Sequence, residues 1–313
     1  MDPIDDVLAA RSVEDSQYLN VQARGAWGIS FRSARATYVM MIKSGCCWWL
    51  PSANDVPELL TPGACFLLRA GTEFALADEP GRDLVSCESL LASGRGSFVR
   101  HGTEGKLTEI VSARLAFHAD GAEPLLKVLP PMLRLDLDAS AGDALRSTFG
   151  LLELERTSAL GSVFTTSRLA DILFVYALRT HVSSSVTSPR GWLSALSDPQ
   201  LAPVLRALHM DLAHPWTVEG LARQAGMSRA AFAAAFKRKT GLSPINYLTY
   251  WRMYRAKTLL RDTESSLRQI ALTVGYDTDA AFSRAFRRRE GVAPGAWRRS
   301  RRAPAEDSGA RGA

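Results

Sequence analysis

The stretch Leu267-Arg268-Gln269-Ile270-Ala271-Leu272-Thr273-Val274-Gly275-Tyr276-Asp277-Thr278-Asp279-Ala280-Ala281-Phe282-Ser283-Arg284-Ala285-Phe286 decides how this chain of 313 residues is read. Leu267, Ile270, Ala271 and Val274 recur at i, i+3, i+4 and i+7, the period of one helix face. Gly275-Tyr276-Asp277-Thr278 breaks that pattern, and Phe282 and Phe286 then share a face of a second short helix. Ser266 stands three residues before Gln269, the spacing of a capping box, and marks the first helix start. Two helices joined by a short glycine-containing turn, the second begun by a Ser or Thr N-cap, make a helix-turn-helix.

The same pattern occurs upstream. Val218, Leu221, Ala222 and Ala225 precede the turn Gly226-Met227-Ser228, and Phe232 and Phe236 follow it. The offset is 50 residues for both aromatics, and it stays at 50 from Gly241 to Gly291, Pro244 to Pro294 and Tyr247 to Trp297. Between the copies, Ile245 to Arg261 carries Leu248, Met253, Ala256, Leu259 and Leu260 and reads as one long helix. Such a connector suits two modules whose second helices enter successive turns of one major groove, about 34 Å apart. The units are predicted over about 217–240 and 266–290. The competing reading of this half is a helical bundle that binds protein.

Charge separates this region from the rest. Residues 190 to 302 hold 20 Lys and Arg against 8 Asp and Glu, a net of +12, while residues 1 to 189 hold 17 against 22, a net of −5. A basic half of this kind meets a polyanion or is simply a solvated surface. Its cations are mostly Arg, whose planar fork suits phosphates and base edges. Ser183-Ser184-Ser185-Val186-Thr187-Ser188-Pro189 is small, polar and closed by a proline, and it falls where the charge changes sign. We therefore place a boundary there, giving domains 1–189 and 190–302. The tail 303–313 has nothing to bury and is expected to be disordered.

Before the boundary, residues 20 to 117 read as short strands, among them Thr37 to Ile42, Ala64 to Leu68 and Leu107 to Leu115, separated by Gly, Pro and Asp turns. That spacing suggests a small barrel or sandwich. From about 123 to 182 the period turns helical, with Leu145, Phe149 and Leu152, then Leu169, Ile172, Leu173, Tyr176 and Ala177. These helices are expected to lie against the β part or to pair between subunits. The fold class is thus α+β in two domains: an N-terminal β-barrel with linker or dimerisation helices, then an all-α domain. The acidic start and the lack of a long apolar run support neither export nor a membrane span. Four cysteines, Cys46, Cys47, Cys65 and Cys87, form no C-x-x-C pair and suit a reducing cytoplasm.

The region from Trp216 to Arg298 resembles the DNA-binding domain of AraC-type transcriptional regulators, on the strength of Gly226-Met227-Ser228-Arg229-Ala230-Ala231-Phe232, Arg252-Met253, Leu259-Leu260, Gly275-Tyr276, Ala281-Phe282-Ser283-Arg284-Ala285-Phe286 and Gly291-Val292-Ala293-Pro294. Upstream, Leu125 to Leu135, Leu169 to His181, Gly191-Trp192-Leu193 and Asp198-Pro199 resemble the subgroup with a cupin-type N-terminal domain. The resemblance implies a homodimer that binds double-stranded DNA, contacts RNA polymerase and responds to a small-molecule effector of unknown identity. It puts base-facing positions at Ala230, Ala233 and Ala234 after the N-cap Ser228, and at Ala280, Ser283 and Arg284 after the N-cap Thr278 and Asp279. Alanine meets only a thymine methyl, so the first helix should discriminate poorly apart from Arg229 at its start; Lys237 further on is a DNA-binding candidate. Arg284 is the candidate for bidentate guanine contact, with Arg287 and Arg288 on phosphates; the bland reading of Arg287, Arg288 and Arg289 is a solvated face. The four phenylalanines are core.

No P-loop, nucleotide-binding glycine fingerprint, H-E-x-x-H or G-x-S-x-G occurs, so no catalytic set is visible. Pro62 to Leu68 with Gly71-Thr72-Glu73-Phe74 resembles a cupin hairpin, yet Phe74 sits where that subgroup commonly has histidine. His101, His118, His181, His209 and His214 lack metal-ligand spacing, and neither metal nor cofactor is expected. Trp48, Trp49 and Phe74 are candidates to line a pocket for an apolar ligand, although neighbouring strand residues face opposite sides. Cys46, Cys47 and Cys87 read either as small buried hydrophobes or as a redox pair, Cys46 or Cys47 oxidising with Cys87. The alternative to a regulator is a metal- or cysteine-dependent enzyme, a metal cupin or DNA-repair protein, fused to a DNA-targeting module.

Overall fold

The computed structural model describes residues 13–32, 36–51, 56–93, 98–117, 124, 127–138, 141–155, 160–184 and 192–302. The chain divides into two compact units between Ser188 and Pro189. The linker-like Ser185 to Pro189, the tail 303–313, His118 and Leu125 lie outside the described residues.

The N-terminal unit is built on two sheets. Strands β1 (Val13–Arg24), β3 (Ala36–Ser44), β6 (Cys65–Leu68), β9 (Phe98–His101), β10 (Leu107–Phe117) and β11 (Met132–Leu135) form one, in the order β11-β6-β3-β10-β1-β9. Strands β2 (Gly28–Phe31), β4 (Cys47–Pro51), β5 (Glu58–Leu60), β7 (Phe74–Ala77) and β8 (Val85–Ser86) form the other, in the order β5-β4-β7-β2-β8. A short helix α1 (Cys87–Ser93) follows β8. No strand ladder among the described residues joins the two sheets, so the expected barrel is cupin-like but not closed. The segment expected to be helical from about 123 also contributes a strand, β11, because Leu133 and Leu135 alternate with exposed Arg134 and pair with β6.

The sheets face one another across an apolar core. Leu19, Val21 and Ala23 of β1 join Met40 and Ile42 of β3, Phe66 of β6, Ile29 and Phe31 of β2, and Leu76 of β7 in it. The six-stranded sheet is covered outside as well. Helix α2 (Gly142–Glu155) packs on α3 (Ser162–Ser184), and α3 lies against β1, β10, β11 and β3. Burial on both faces explains why β3 reads as a nearly unbroken apolar run, Ala-Thr-Tyr-Val-Met-Met-Ile, and not as a clean alternation.

The C-terminal unit is helical: α4 (Trp192–Ala195), α5 (Leu201–Met210), α6 (Val218–Gln224), α7 (Arg229–Thr240), α8 (Pro244–Asp262), α9 (Leu267–Thr273), α10 (Asp279–Glu290) and α11 (Pro294–Arg302). Its inner geometry repeats at the offset seen in the sequence. Phe232 and Phe236 lie 5.4 Å apart at 55°, and Phe282 and Phe286 5.7 Å apart at 59°. Phe236 then meets Tyr247 edge-on at 84°, as Phe286 meets Trp297 at 79°. The helix α8 serves both cores, giving Tyr247 and Trp251 to the first, and Met253, Ala256 and Leu260 to the second.

Candidate nucleic-acid interface

The helix pairs α6–α7 and α9–α10 are set by their caps. Thr217 Oγ1 accepts from the Gly220 amide at 3.0 Å, and Ser266 and Gln269 form the reciprocal capping box. Each first helix closes in a left-handed glycine, Gly226 at φ +65° and Gly275 at φ +80°, with Met227 N–H donating to Ala222 O and Tyr276 N–H to Ala271 O. These bonds satisfy carbonyls that a helix end leaves open. The second helices start at Ser228, whose Oγ accepts from Ala231 N–H, and at Thr278, whose Oγ1 accepts from Ala281 N–H. They end in Gly241 at φ +81° and Gly291 at φ +79°. The second turn is one residue longer, since α6 and α9 end 49 residues apart while α7 and α10 begin 50 apart.

With the phenylalanines buried, the opposite faces of α7 and α10 are open. Ser228, Arg229, Ala230, Ala234 and Lys237 are exposed, with Ala233 half-buried; Thr278, Asp279, Ala280, Arg284, Arg287 and Arg288 are exposed, with Ser283 half-buried. The first face is small and nearly uncharged at its centre, whereas the second projects arginines. Both last turns are basic, through Lys237, Arg238 and Lys239 and through Arg287, Arg288 and Arg289, which also favours the negative end of each helix dipole. Arg289 is withdrawn: its guanidinium sits 4.4 Å above the Tyr250 ring on α8. Behind α10, Lys257 and Glu290 pair at 3.4 Å, both largely buried, tying the helix end to the connector.

A residue given no role from the sequence links the modules. Arg252, midway along α8, donates through Nε to Leu212 O at 2.7 Å, through Nη1 to Gly275 O at 3.1 Å, and through Nη2 to His214 O at 2.9 Å and Ala213 O at 3.4 Å. The signal in the sequence was a lone arginine between Trp251 and Met253, both buried.

In the N-terminal unit the three candidate pocket residues do not share one wall. Trp49 and Phe74 are core residues, the Phe74 ring stacked 4.7 Å from both Phe31 and Trp49, while Trp48 is half-buried on the opposite strand face. A stacked ring in a packed core is part of the wall and leaves no room for a ligand. Beyond it lies a cavity of about 310 Å³ walled by Leu19, Phe31, Tyr38, Leu91, Cys87 and Arg114, and a second, more open and polar, of about 680 Å³ lies between the Thr61–Cys65 turn and Arg134–Asp138. Glu73 faces away from the core and pairs with Arg32 at 3.7 Å, and Glu109 is taken up by Asn20, Gln22 and Lys43. No cluster of three His, Cys, Asp or Glu suited to a metal occurs among the described residues. All four cysteines are unpaired; Cys46 is exposed, and burial pushes the Cys47 and Cys87 thiols up to about 12. Thiols held protonated in this way are poor nucleophiles.

Two capped helix-turn-helix units in one basic body, following a cupin-like domain in the chain, define a DNA-binding transcription regulator. Residues 2–183 match the cupin family model and residues 221–300 the helix-turn-helix domain model. The chain is 32% identical over 300 residues, 96% of itself and 98% of the relative, to a protein of Streptomyces lividans described as a putative AraC-like transcription regulator. It is 28% identical over 309 residues, 95% of itself and 99% of the relative, to the HTH-type transcriptional regulator AlkR of Acinetobacter baylyi. Among solved structures it is similar to the DNA-binding domain of AdpA in complex with a target DNA, at 34% identity and TM-score 0.33, covering 34% of this chain and 96% of that one. The chain belongs to the AraC family of transcriptional regulators with a cupin N-terminal domain. No helix among the described residues is long and apolar enough to cross a membrane.

Proposed function

We propose that the C-terminal residues 190–302 read an operator through α10 and hold it through α7, and that the N-terminal domain 1–189 senses a small molecule and brings two chains together. The observation that carries the reading is the contrast between the two outer faces, arginines on α10 and alanines on α7. Arg284 makes the base contact, Arg229, Lys237, Arg287 and Arg288 neutralise phosphates, and Ser228, Thr278 and Asp279 set the helix starts. Ala230, Ala233 and Ala234 let α7 come close to the duplex without choosing a base, while Ala280 and Ser283 flank Arg284.

The cavity behind Phe31 is the proposed effector site, at the small end of the usual range for ligand pockets. The protein works as a homodimer in the cytoplasm, recruits or blocks RNA polymerase, and needs neither catalysis nor a cofactor. The enzyme alternative draws no support from the relatives, whose printed names are those of transcription regulators. Selection from a pool of random duplexes tests the reading. It is expected to enrich half-sites that each hold one strongly constrained block, contacted by α10, and a weakly constrained block about one helical turn away. Half-sites with two equally constrained blocks, or no enrichment, would count against it.

A further inference from the structure

The connector helix is not the sole link between the two modules. The loop 211–216, which leads into α6, is itself tightly folded: Asp211 Oδ1 accepts from Ala213 and His214 N–H, both at 3.0 Å, and Asp211 O accepts from the Trp216 indole at 2.8 Å. Its outward carbonyls, Leu212, Ala213 and His214, converge on the Arg252 guanidinium. The same guanidinium takes the carbonyl of Gly275 in the turn of the second module, and it lies 5.7 Å above the ring of the next residue, Tyr276. One planar group therefore bonds the approach to the first helix-turn-helix and the turn of the second at once.

Three features suit arginine to this place. Its partners are all acceptors, and guanidinium has five donors and no acceptor. They lie around one plane, which a lysine ammonium on its flexible stem does not match. Burial lowers the Arg252 pKa, a cost offset by the carbonyls and by nearby Asp211. Gly275 completes the contact. A Cβ there would fall 2.6 Å from Arg252 Nη2 and 2.7 Å from Ala213 O, so the turn of the second module abuts the loop of the first with no space for a side chain.

We propose that Arg252 is a positioning residue for DNA recognition, fixing α7 relative to α10 so that both modules reach one duplex together. It touches no DNA in this scheme. The proposal rests on the two-module reading above, and the shape of a footprint tests each separately. Hydroxyl-radical footprints of the full-length protein on a duplex selected by the wild type are expected to show, in each half-site, two protected patches about 10 base pairs apart. In Arg252→Gln the patch under α10 persists while the patch under α7 fades, and affinity falls about tenfold as the second module loses its high effective concentration. Arg252→Lys, which keeps the charge, is expected to do the same. Arg252→Lys carries the test should Arg252→Gln not fold, as judged by its melting curve. Variants that bind more weakly yet protect both patches in the wild-type ratio would overturn the proposal, as would full rescue by lysine. A wild-type footprint with a single patch would instead overturn the two-module reading, and the proposal with it.

Discussion

Arg284 and Arg287 stand on the same helix within one turn of each other, both exposed, and the account gives them different work. A guanidinium bidentate to a base edge discriminates, while one on a phosphate only attracts. Arg284→Ala should therefore cost about 1 to 3 kcal/mol on the selected operator and relax preference at one position. Arg287→Ala should weaken all duplexes alike and lower the salt slope by about one. Binding to the operator and to scrambled duplexes separates the two; parallel losses for both would make Arg284 a phosphate contact. The cysteines permit a second test at this scale. Cys46 is exposed and Cys47, Cys65 and Cys87 are buried, so iodoacetamide should label the native chain once and the unfolded chain four times. Rapid native labelling of Cys87 would restore the sensor reading.

At the scale of elements, a side-chain bridge ties the start of β2 to the end of β7 within the five-stranded sheet. The Asp78 carboxylate accepts from the Arg82 guanidinium at 2.9 and 2.7 Å and from Trp27 N–H at 2.8 Å, and Trp27 is buried in the core. Arg82 foremost, with Trp27, holds the Asp78 carboxyl below the usual carboxylate range. A carboxyl whose folded pKa is depressed contributes stability that is present above its unfolded value, about 4, and is lost as pH falls through the folded one. Asp78→Asn should thus lower the melting temperature near neutral pH and flatten its decline below about pH 4. An unchanged acid limb in thermal melts would remove Asp78 from that role.

Elements were unevenly legible in the sequence. The helix-turn-helix pair could be read because caps, glycines and aromatic spacing are local signals, and a repeat states each of them twice. The sheets could not be read as well. β1 begins at Val13, before the predicted β region, and is fixed by pairing with β10. β11 lies within a stretch read as helical although Leu133 and Leu135 alternate with Arg134, a run too short to outweigh the helical period around it until β6 pairs with it. Trp49 and Phe74 look alike in sequence whether they line a pocket or fill a core; only the stacking of Phe74 between Phe31 and Trp49 decides it. Arg252 escaped a role because its partners are backbone carbonyls, which leave no mark on residue identity.

The molecule as a whole divides its labour along the chain, and the net charge of +12 on residues 190–302 is the physical expression of that division. Each condensed counterion released by an arginine on a phosphate steepens the dependence of affinity on salt. If the grip on DNA lies wholly in the C-terminal unit, a fragment of residues 191–302 has the same salt dependence per bound chain as the full-length protein. The decisive measurement is therefore duplex affinity between 50 and 200 mM salt for both proteins. Parallel lines are predicted once each slope is divided by the number of chains bound, with a log–log slope of about −4 or steeper per chain, from at least about five neutralised phosphates. Flat binding, or a steep slope in the full chain that the fragment lacks, would contradict it.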